Sequence, residues 1–485
     1  MLIVRVIIAI HLTIGCVAAQ APDTIWTRTF GGTEADAGFA FTETSDGYFL
    51  IAGSTISFGE NGRIYFIKVN SYGQTVFERT YGENYSESAR SIAESSDGGY
   101  ILLGYSRIQI GGSYDIFMEK TDINGNRIWT ERYVNPGSQG YGRSVLEAAD
   151  QNIVVAANVT HYNPYDKNII IMKTSALGDP IWNLEFGDIG EEEVQSVCET
   201  RDGGYVVTGW TTSYGAGSGD ILLLKTDSNG NISWYRTYGY SGWEGGRCVI
   251  ETSDGGFALT GRTNSVGHGS WDVFLVKTDS VGNMEWLKTY GGEEWDSGFS
   301  VREAHSNGFL LGGYTLSFDA ANFDYYLIRT NINGHEIWYK TIGGSSVEYG
   351  LSAIYASDRT IYFMGVSWSY GHGSEDIYLV KLGRGHATDI PGRSVTIPEN
   401  FQLYQNFPNP FNVSTEISFA LPEPADIAVE IFDILGKPTA IVAKGPFPAG
   451  YHNVTWNGGD AASGVYYYRL IAGSKVMVRK MILLK

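Results

Sequence analysis

An aromatic residue followed by an Arg-Thr-Tyr-Gly-like close recurs along the chain at a nearly fixed interval. It stands at Trp26, Phe77, Trp129, Trp182, Trp234, Trp286 and Trp338, with spacings of 51, 52, 53, 52, 52 and 52 residues. A period this constant means one supersecondary unit copied along the chain, because unrelated loops drift in length. Within a copy, alternation and turn residues mark four short strands; in the fourth copy they are "SVCET", "GGYVVTGWT", "DILLLKT" and "ISWYRTYG". No helical periodicity interrupts the pattern before residue 400. Four strands in about 50 residues is the size of a propeller blade. The expected fold is therefore all-β, a seven-bladed β-propeller of four-stranded blades.

The phase of the ends sharpens this expectation. The array begins with a fourth strand, "TIWTRTF", and stops near Leu382 with a third strand. Donating the first segment to the last blade pairs an edge that would otherwise be bare and closes the ring. A linear solenoid would leave both ends open and require polar caps, which the sequence lacks.

Two recurring turns carry acids. Asp227-Ser-Asn-Gly-Asn231 has counterparts at Asp122–Asn126, Asp279–Asn283, Asn331–His335 and Asn70–Gln74. A calcium loop needs a dense oxygen set ending in a bidentate acid, whereas several copies lose the acids and keep the Gly. These are expected to be hairpin turns. The Asp-Gly-Gly-aromatic segments at Asp97, Asp202 and Asp254 read as turns into the second strand; no helix follows to cradle phosphate.

Three further sets of polar residues are candidates for function. A basic residue ends each third strand (Lys68, Lys120, Lys173, Lys225, Lys277, Arg329, Lys381), and a Glu ends six of the first strands (Glu43, Glu94, Glu147, Glu199, Glu251, Glu303), with Tyr355 in the seventh. These are expected to pair within each blade. A second acidic position precedes the first strand: Asp36, Glu87, Glu192, Glu244, Asp296 and Glu348, with Gly140 as the exception. First strands line a propeller's axis, so these carboxylates are expected as a ring at one mouth of the channel, open to a cation such as calcium or to a basic or polyhydroxy ligand. The competing reading has each carboxylate capping loop N–H groups. Apart from calcium there, no cofactor or metal is expected. The third copy departs most from the template: "ANVTHYNPYDKN" gains Tyr162 and Tyr165 in a loop, candidates for ligand contact. His268 and His372 sit in equivalent Gly-His-Gly loops. No Gly-x-Ser-x-Gly element is present, and no residue is assigned a catalytic role.

The 53 acidic and 34 basic residues give a net charge of -19, which argues against nucleic acid as a partner. The first residues, with Arg5, an apolar run and Val17-Ala18-Ala19, read as a secretory signal over 1–19. Thr13-Ile-Gly-Cys16 partly matches a lipoprotein box, so Cys16 is the position where lipidation would occur. No later segment is long and apolar enough to span a bilayer. Cys198 and Cys248 are expected as small buried side chains and not as a bridge.

Beyond the propeller over 20–382, residues 383–400 are rich in Pro and Gly and read as a linker. Residues 401–485 show a new strand pattern, expected as a small Ig-like β-sandwich. Leu403-Tyr-Gln-Asn-Phe-Pro-Asn-Pro-Phe411, Ile431-Phe-Asp-Ile-Leu-Gly-Lys437, Ser463-Gly-Val-Tyr-Tyr-Tyr468 and the closing Lys480–Lys485 together resemble the type A C-terminal sorting domain of the type IX secretion system. The resemblance implies Sec export, passage across the outer membrane with that machinery as partner, and a secreted or cell-surface product. The repeats resemble propeller repeats of secreted bacterial proteins, a likeness that carries over no catalytic residues. The expected function is extracellular binding or adhesion, with glycan or protein as ligand. The alternative is an extracellular hydrolase or lyase using carboxylates at the channel mouth.

Overall fold

The structure is a computed structural model. It describes residues 21–384 and 401–484 apart from 60–61, 83–85, 108–110, 134–136, 163–164, 305–307, 319, 404–405, 407–408, 410, 448–449 and 460. The expected signal over 1–19, with Cys16, and all but the first two residues of the expected linker lie outside the described residues. The chain divides into two compact units, residues 20–385 and a C-terminal unit from 386 onward.

The first unit is a seven-bladed β-propeller of four-stranded antiparallel sheets. Blade four runs Glu192–Glu199, Tyr205–Thr211, Asp220–Thr226 and Ile232–Tyr238, in that order across the sheet. First strands of successive blades touch one another around the ring, so they form the axial wall. In blade seven, Thr24–Phe30 pairs with Asp376–Arg384, Trp26 opposite Lys381 and Phe30 opposite Ile377. The N-terminal strand thus closes the ring, as the phase of the repeat requires.

The core lies between blades. Leu50, Phe66 and Tyr81 of blade one pack against Ile92, Leu102 and Phe117 of blade two. On its other face, Phe41, Ile51 and Tyr65 pack against Ile354, Met364 and Leu379 of blade seven, with Trp26 and Phe30 alongside. The recurrent aromatic has its physical reason here. Trp234 of blade four covers Gly282 in the outer hairpin of blade five, where a Cβ would fall 2.7 Å from the ring and where φ is 79°. The Tyr238 hydroxyl donates to the Gly282 carbonyl at 2.6 Å. Trp and Gly recur in phase because each covers, or is covered by, the next blade.

Two expectations need correction. The inner strand of blade four starts at Glu192, not at Ser196: the acid belongs to the strand. The register slips between Val194 and Ser196, leaving Gln195 as a bulge, and the same bulge falls at Phe39, Arg90, Arg143, Arg247, Phe299 and Leu351. A bulge reverses the in–out alternation, which hides the upper half of each inner strand from a period-two reading.

The second correction concerns ion pairs. The lysines do not take the Glu of the same blade; they take the Asp of the first turn. Lys68 meets Asp46 at 2.8 Å, Lys120 meets Asp97 at 2.6 Å, Lys173 meets Asp150 at 2.7 Å and Lys225 meets Asp202 at 3.0 Å. Lys277 and Lys381 likewise meet Asp254 and Asp358. The Glu side chains reach across the gap to the preceding blade. Glu94 accepts from the Ser45 N–H at 2.7 Å, Glu251 from Arg201 at 3.0 Å and Glu303 from Ser253 at 2.8 Å. Glu43 completes the circle on the Ser357 N–H at 2.8 Å. The turn Asp lies at the foot of its own third strand, whereas the Glu, at the end of the inner strand, projects toward the neighbour. In blade six, Arg329 stands for Lys and donates to the Phe309 carbonyl at 3.3 Å.

The Asp-x-Asn-Gly-Asn segments are hairpin turns. Asp227 Oδ1 accepts from the N–H groups of Asn229 and Asn231 at 2.9 Å each, and Oδ2 from the Asn231 amide at 2.9 Å. Cys198 and Cys248 are free thiols. The C-terminal unit is a small sandwich. One sheet holds Gln402–Leu403, Ser414–Leu421 and Gly450–Asn457; the other holds Pro438–Phe447, Ala425–Asp433, Gly464–Ala472 and Lys475–Leu483. Ile417, Phe419, Val429, Ile431, Tyr468 and Leu470 fill its core.

Removal of Thr24–Phe30 should leave the third strand of blade seven as a bare edge, giving concentration-dependent association in light scattering and a lower melting temperature. A monomer with unchanged melting would refute closure by that strand. Asp202→Ala should cost roughly 1–3 kcal/mol in urea unfolding, because it leaves the buried Lys225 ammonium with only the Thr226 carbonyl.

Candidate functional site on the upper face

Inner strands begin, second strands end and third strands begin on one face of the propeller, here called upper. The six predicted carboxylates lie there but do not face solvent: Asp36, Glu87, Glu192, Glu244, Asp296 and Glu348 are 0–2% exposed. Each receives a hydroxyl from its own blade and, among the described residues, five of the six receive a backbone N–H from the loop leading into that blade. Glu192 accepts from Thr211 Oγ1 at 2.6 Å and the Asp188 N–H at 3.1 Å. Glu244 accepts from Thr263 Oγ1 and the Tyr240 N–H, both at 2.9 Å. Asp36 takes Ser57 and Gly32, Asp296 takes Ser317 and Gly292, and Glu348 takes Ser367 and Gly344. Glu87 takes Ser106 at 2.8 Å and Arg132 at 3.1 Å. This is the capping geometry of a tight corner.

A second acid meets this corner from the neighbouring blade. A Cβ on Gly291 would lie 2.3 Å from Asp296 Oδ2 and 2.7 Å from Asp272 Oδ1, so the glycine lets two carboxyls of adjacent blades approach. Burial raises both above the ordinary carboxylate range, and the charge of Asp296 raises Asp272 further. Oδ1 of each is buried without a hydrogen-bond partner. His268 and His372, exposed on blades five and seven, are placed by the same device: their backbone N–H groups donate to Asp272 at 3.1 Å and Asp376 at 2.8 Å. Among the described residues, no group of three or more His, Cys, Asp or Glu is arranged to hold a metal ion.

A continuous row of rings and cations runs from blade three to blade six. Tyr162 and Tyr165, 51% and 59% exposed, end the two long middle strands of blade three, 6.5 Å apart by ring centroid. The Tyr165 hydroxyl donates to Glu191 at 3.4 Å. Lys167 pairs with Glu193 and lies 5.6 Å from the Trp210 ring centre. From Trp210 the row continues to Trp243 at 5.5 Å, Trp271 at 5.4 Å and Trp295 at 5.8 Å. The Arg262 guanidinium carbon lies 5.2 Å from the Trp243 ring centre and 4.6 Å from that of Trp271. Trp295 at the far end is 42% exposed.

Three of the bulge residues of the inner strands are arginines. Arg90 lies 3.7 Å from the Phe39 ring centre and donates to the Tyr105 hydroxyl at 2.9 Å. Arg143 reaches Glu193 at 3.5 Å, and Arg247 lies over Phe299 at 4.9 Å. Burial pushes Arg247 down to about 10, with the Arg262 charge adding to the effect. Sequence reasoning found Tyr162 and Tyr165 but not the rest of the row. A signal existed: six of the 12 Trp are phase markers, and four of the remaining six form this row.

Residues 405–484 match the family described as the secretion system C-terminal sorting domain. No curated protein matches the sequence. Among solved structures, the chain is similar to a polysaccharide lyase of family PL25, an ulvan lyase, at 9% identity, with 76% of this chain and 96% of that one covered and a TM-score of 0.46. BBS1N in its complex with ARL6DN gives 9% identity, 76% and 98% coverage and 0.45. The propeller domain of the Trilobed protease from Pyrococcus furiosus gives 9%, 68% and 88%, and 0.35. The protein is thus a seven-bladed β-propeller carrying a type IX secretion sorting domain. That domain engages the type IX machinery and directs the protein to the outer surface or extracellular space. No helix among the described residues is long and apolar enough to cross a membrane.

The Asp272–Asp296 pair sets a pH dependence. Both carboxyls have folded-state values above the ordinary 3.8, so their contribution to stability is complete below that pH and is lost as the pH rises through the folded values. Asp296→Asn should flatten the melting temperature between pH 4 and 7 and raise it at pH 7, because an amide can donate to Asp272. A variant that loses more stability at pH 7 than at pH 4 would contradict this.

Proposed function

We propose that the protein is an extracellular binding or adhesion protein whose upper face takes a glycan or protein ligand. The observation that carries this reading is the row from Tyr162 to Trp295, which places exposed aromatic faces on a closed, rigid scaffold. Rings held this way give contact area at low cost in conformational entropy. Binding is favoured over hydrolysis or lysis at the carboxylate ring because those six acids are buried and already serve loop backbone and hydroxyl groups.

The purified full chain should bind saturably to at least one glycan or surface protein in a combined screen, and Tyr162→Ala/Trp295→Ala should weaken that binding about tenfold. No reducing ends or unsaturated sugars should accumulate. Turnover that disappears in Glu192→Gln would replace this reading with the enzymatic one.

A further inference from the structure

The chain is strongly acidic overall, with a net charge of -19, yet four cations lie along the row and its axial side: Arg143, Lys167, Arg247 and Arg262. Glu193 is shared by Arg143 and Lys167. Among the described residues, Arg247 and Arg262 have no carboxylate partner, and Arg262 Nε is buried without an acceptor. Contact with two indoles positions the Arg262 guanidinium, whose fork of N–H donors suits a planar anion. Burying a guanidinium without a carboxylate partner has a cost that a bound anion would offset. We infer that the row from Tyr162 to Trp295, with Arg262 between its rings and Arg143 and Arg247 on the axial side, binds a carboxylated or sulfated polysaccharide.

This inference rests on the reading that the upper face takes a ligand, and it names the ligand's class. A neutral glycan would use the rings and leave the guanidiniums uncompensated. An acidic peptide would use the guanidiniums, but the alternation of ring, cation and ring suits a chain that presents C–H faces and regularly repeated anions.

The test is titration calorimetry on the full chain with four probes of matched length: an oligouronate, a sulfated galactan oligosaccharide, a neutral cello-oligosaccharide and polyaspartate. At least one anionic glycan should bind about tenfold or more tightly than the neutral one and weaken steeply with added salt. Arg262→Gln should remove about tenfold of that affinity. Trp295→Ala, at an exposed position that folding tolerates, should lower it independently, and both variants should keep the wild-type melting temperature. Equal affinity for neutral and anionic glycans, or unchanged affinity in Trp295→Ala, overturns the inference. Polyaspartate binding as tightly as the glycans reassigns the site to acidic protein. If neither anionic glycan binds while the broader screen finds another ligand, the inference fails and the binding reading stands; silence in both removes both.

Discussion

Both faces of every blade are apolar, so no blade is stable without a neighbour on each side. In blade one, Leu50 and Phe66 look one way and Ile51 and Tyr65 the other, all essentially inaccessible to solvent. Such a sheet would aggregate alone; in a ring it has no free face. The last junction must therefore match the others. It does so because Trp26 covers Gly73 and Glu43 reaches Ser357, the same contacts made at the successive junctions from blade one to blade six.

Polar groups then fix how the blades meet. On the lower face, each first-strand Glu accepts from the turn of the blade before it. On the upper face, the acid at the head of six of the seven inner strands takes a hydroxyl of its own blade, and five of these acids are seen to gather the incoming loop. Buried carboxylates held in this way penalise any shift in register, since a one-residue slip would remove the contacts they have. The repetition of acids, six of seven blades in each set, thus follows from the architecture, and the tryptophan row is a feature that departs from the repetition.

The number of blades, the strand count and the mode of closure were legible in the sequence because they follow from a period and from the phase of its ends. The hairpins were legible because Asp122 and Asp227 keep their turn chemistry in every charged copy. The upper half of each inner strand was not, since the bulges at Arg90, Arg143, Gln195 and Arg247 interrupt alternation. Lys225 and Glu199 looked like partners because both end strands of one blade; that Asp202 lies nearer and Glu199 points across the gap is a matter of side-chain direction, which spacing does not encode. The tryptophan row was hidden for a related reason. Trp210 ends a second strand, Trp243 and Trp295 precede first strands, and Trp271 precedes a third strand, so only the folded ring makes them neighbours.

The strand Asp376–Arg384, from which the chain departs toward the sorting domain, lies between Thr360–Ser367 and Thr24–Phe30. Drag transmitted through that exit meets two hydrogen-bonded ladders at once. A terminal edge strand could be peeled away one rung at a time; a central one must shear both flanks together. Donating the N-terminal strand therefore also makes the exit strand resistant to a pull along the chain.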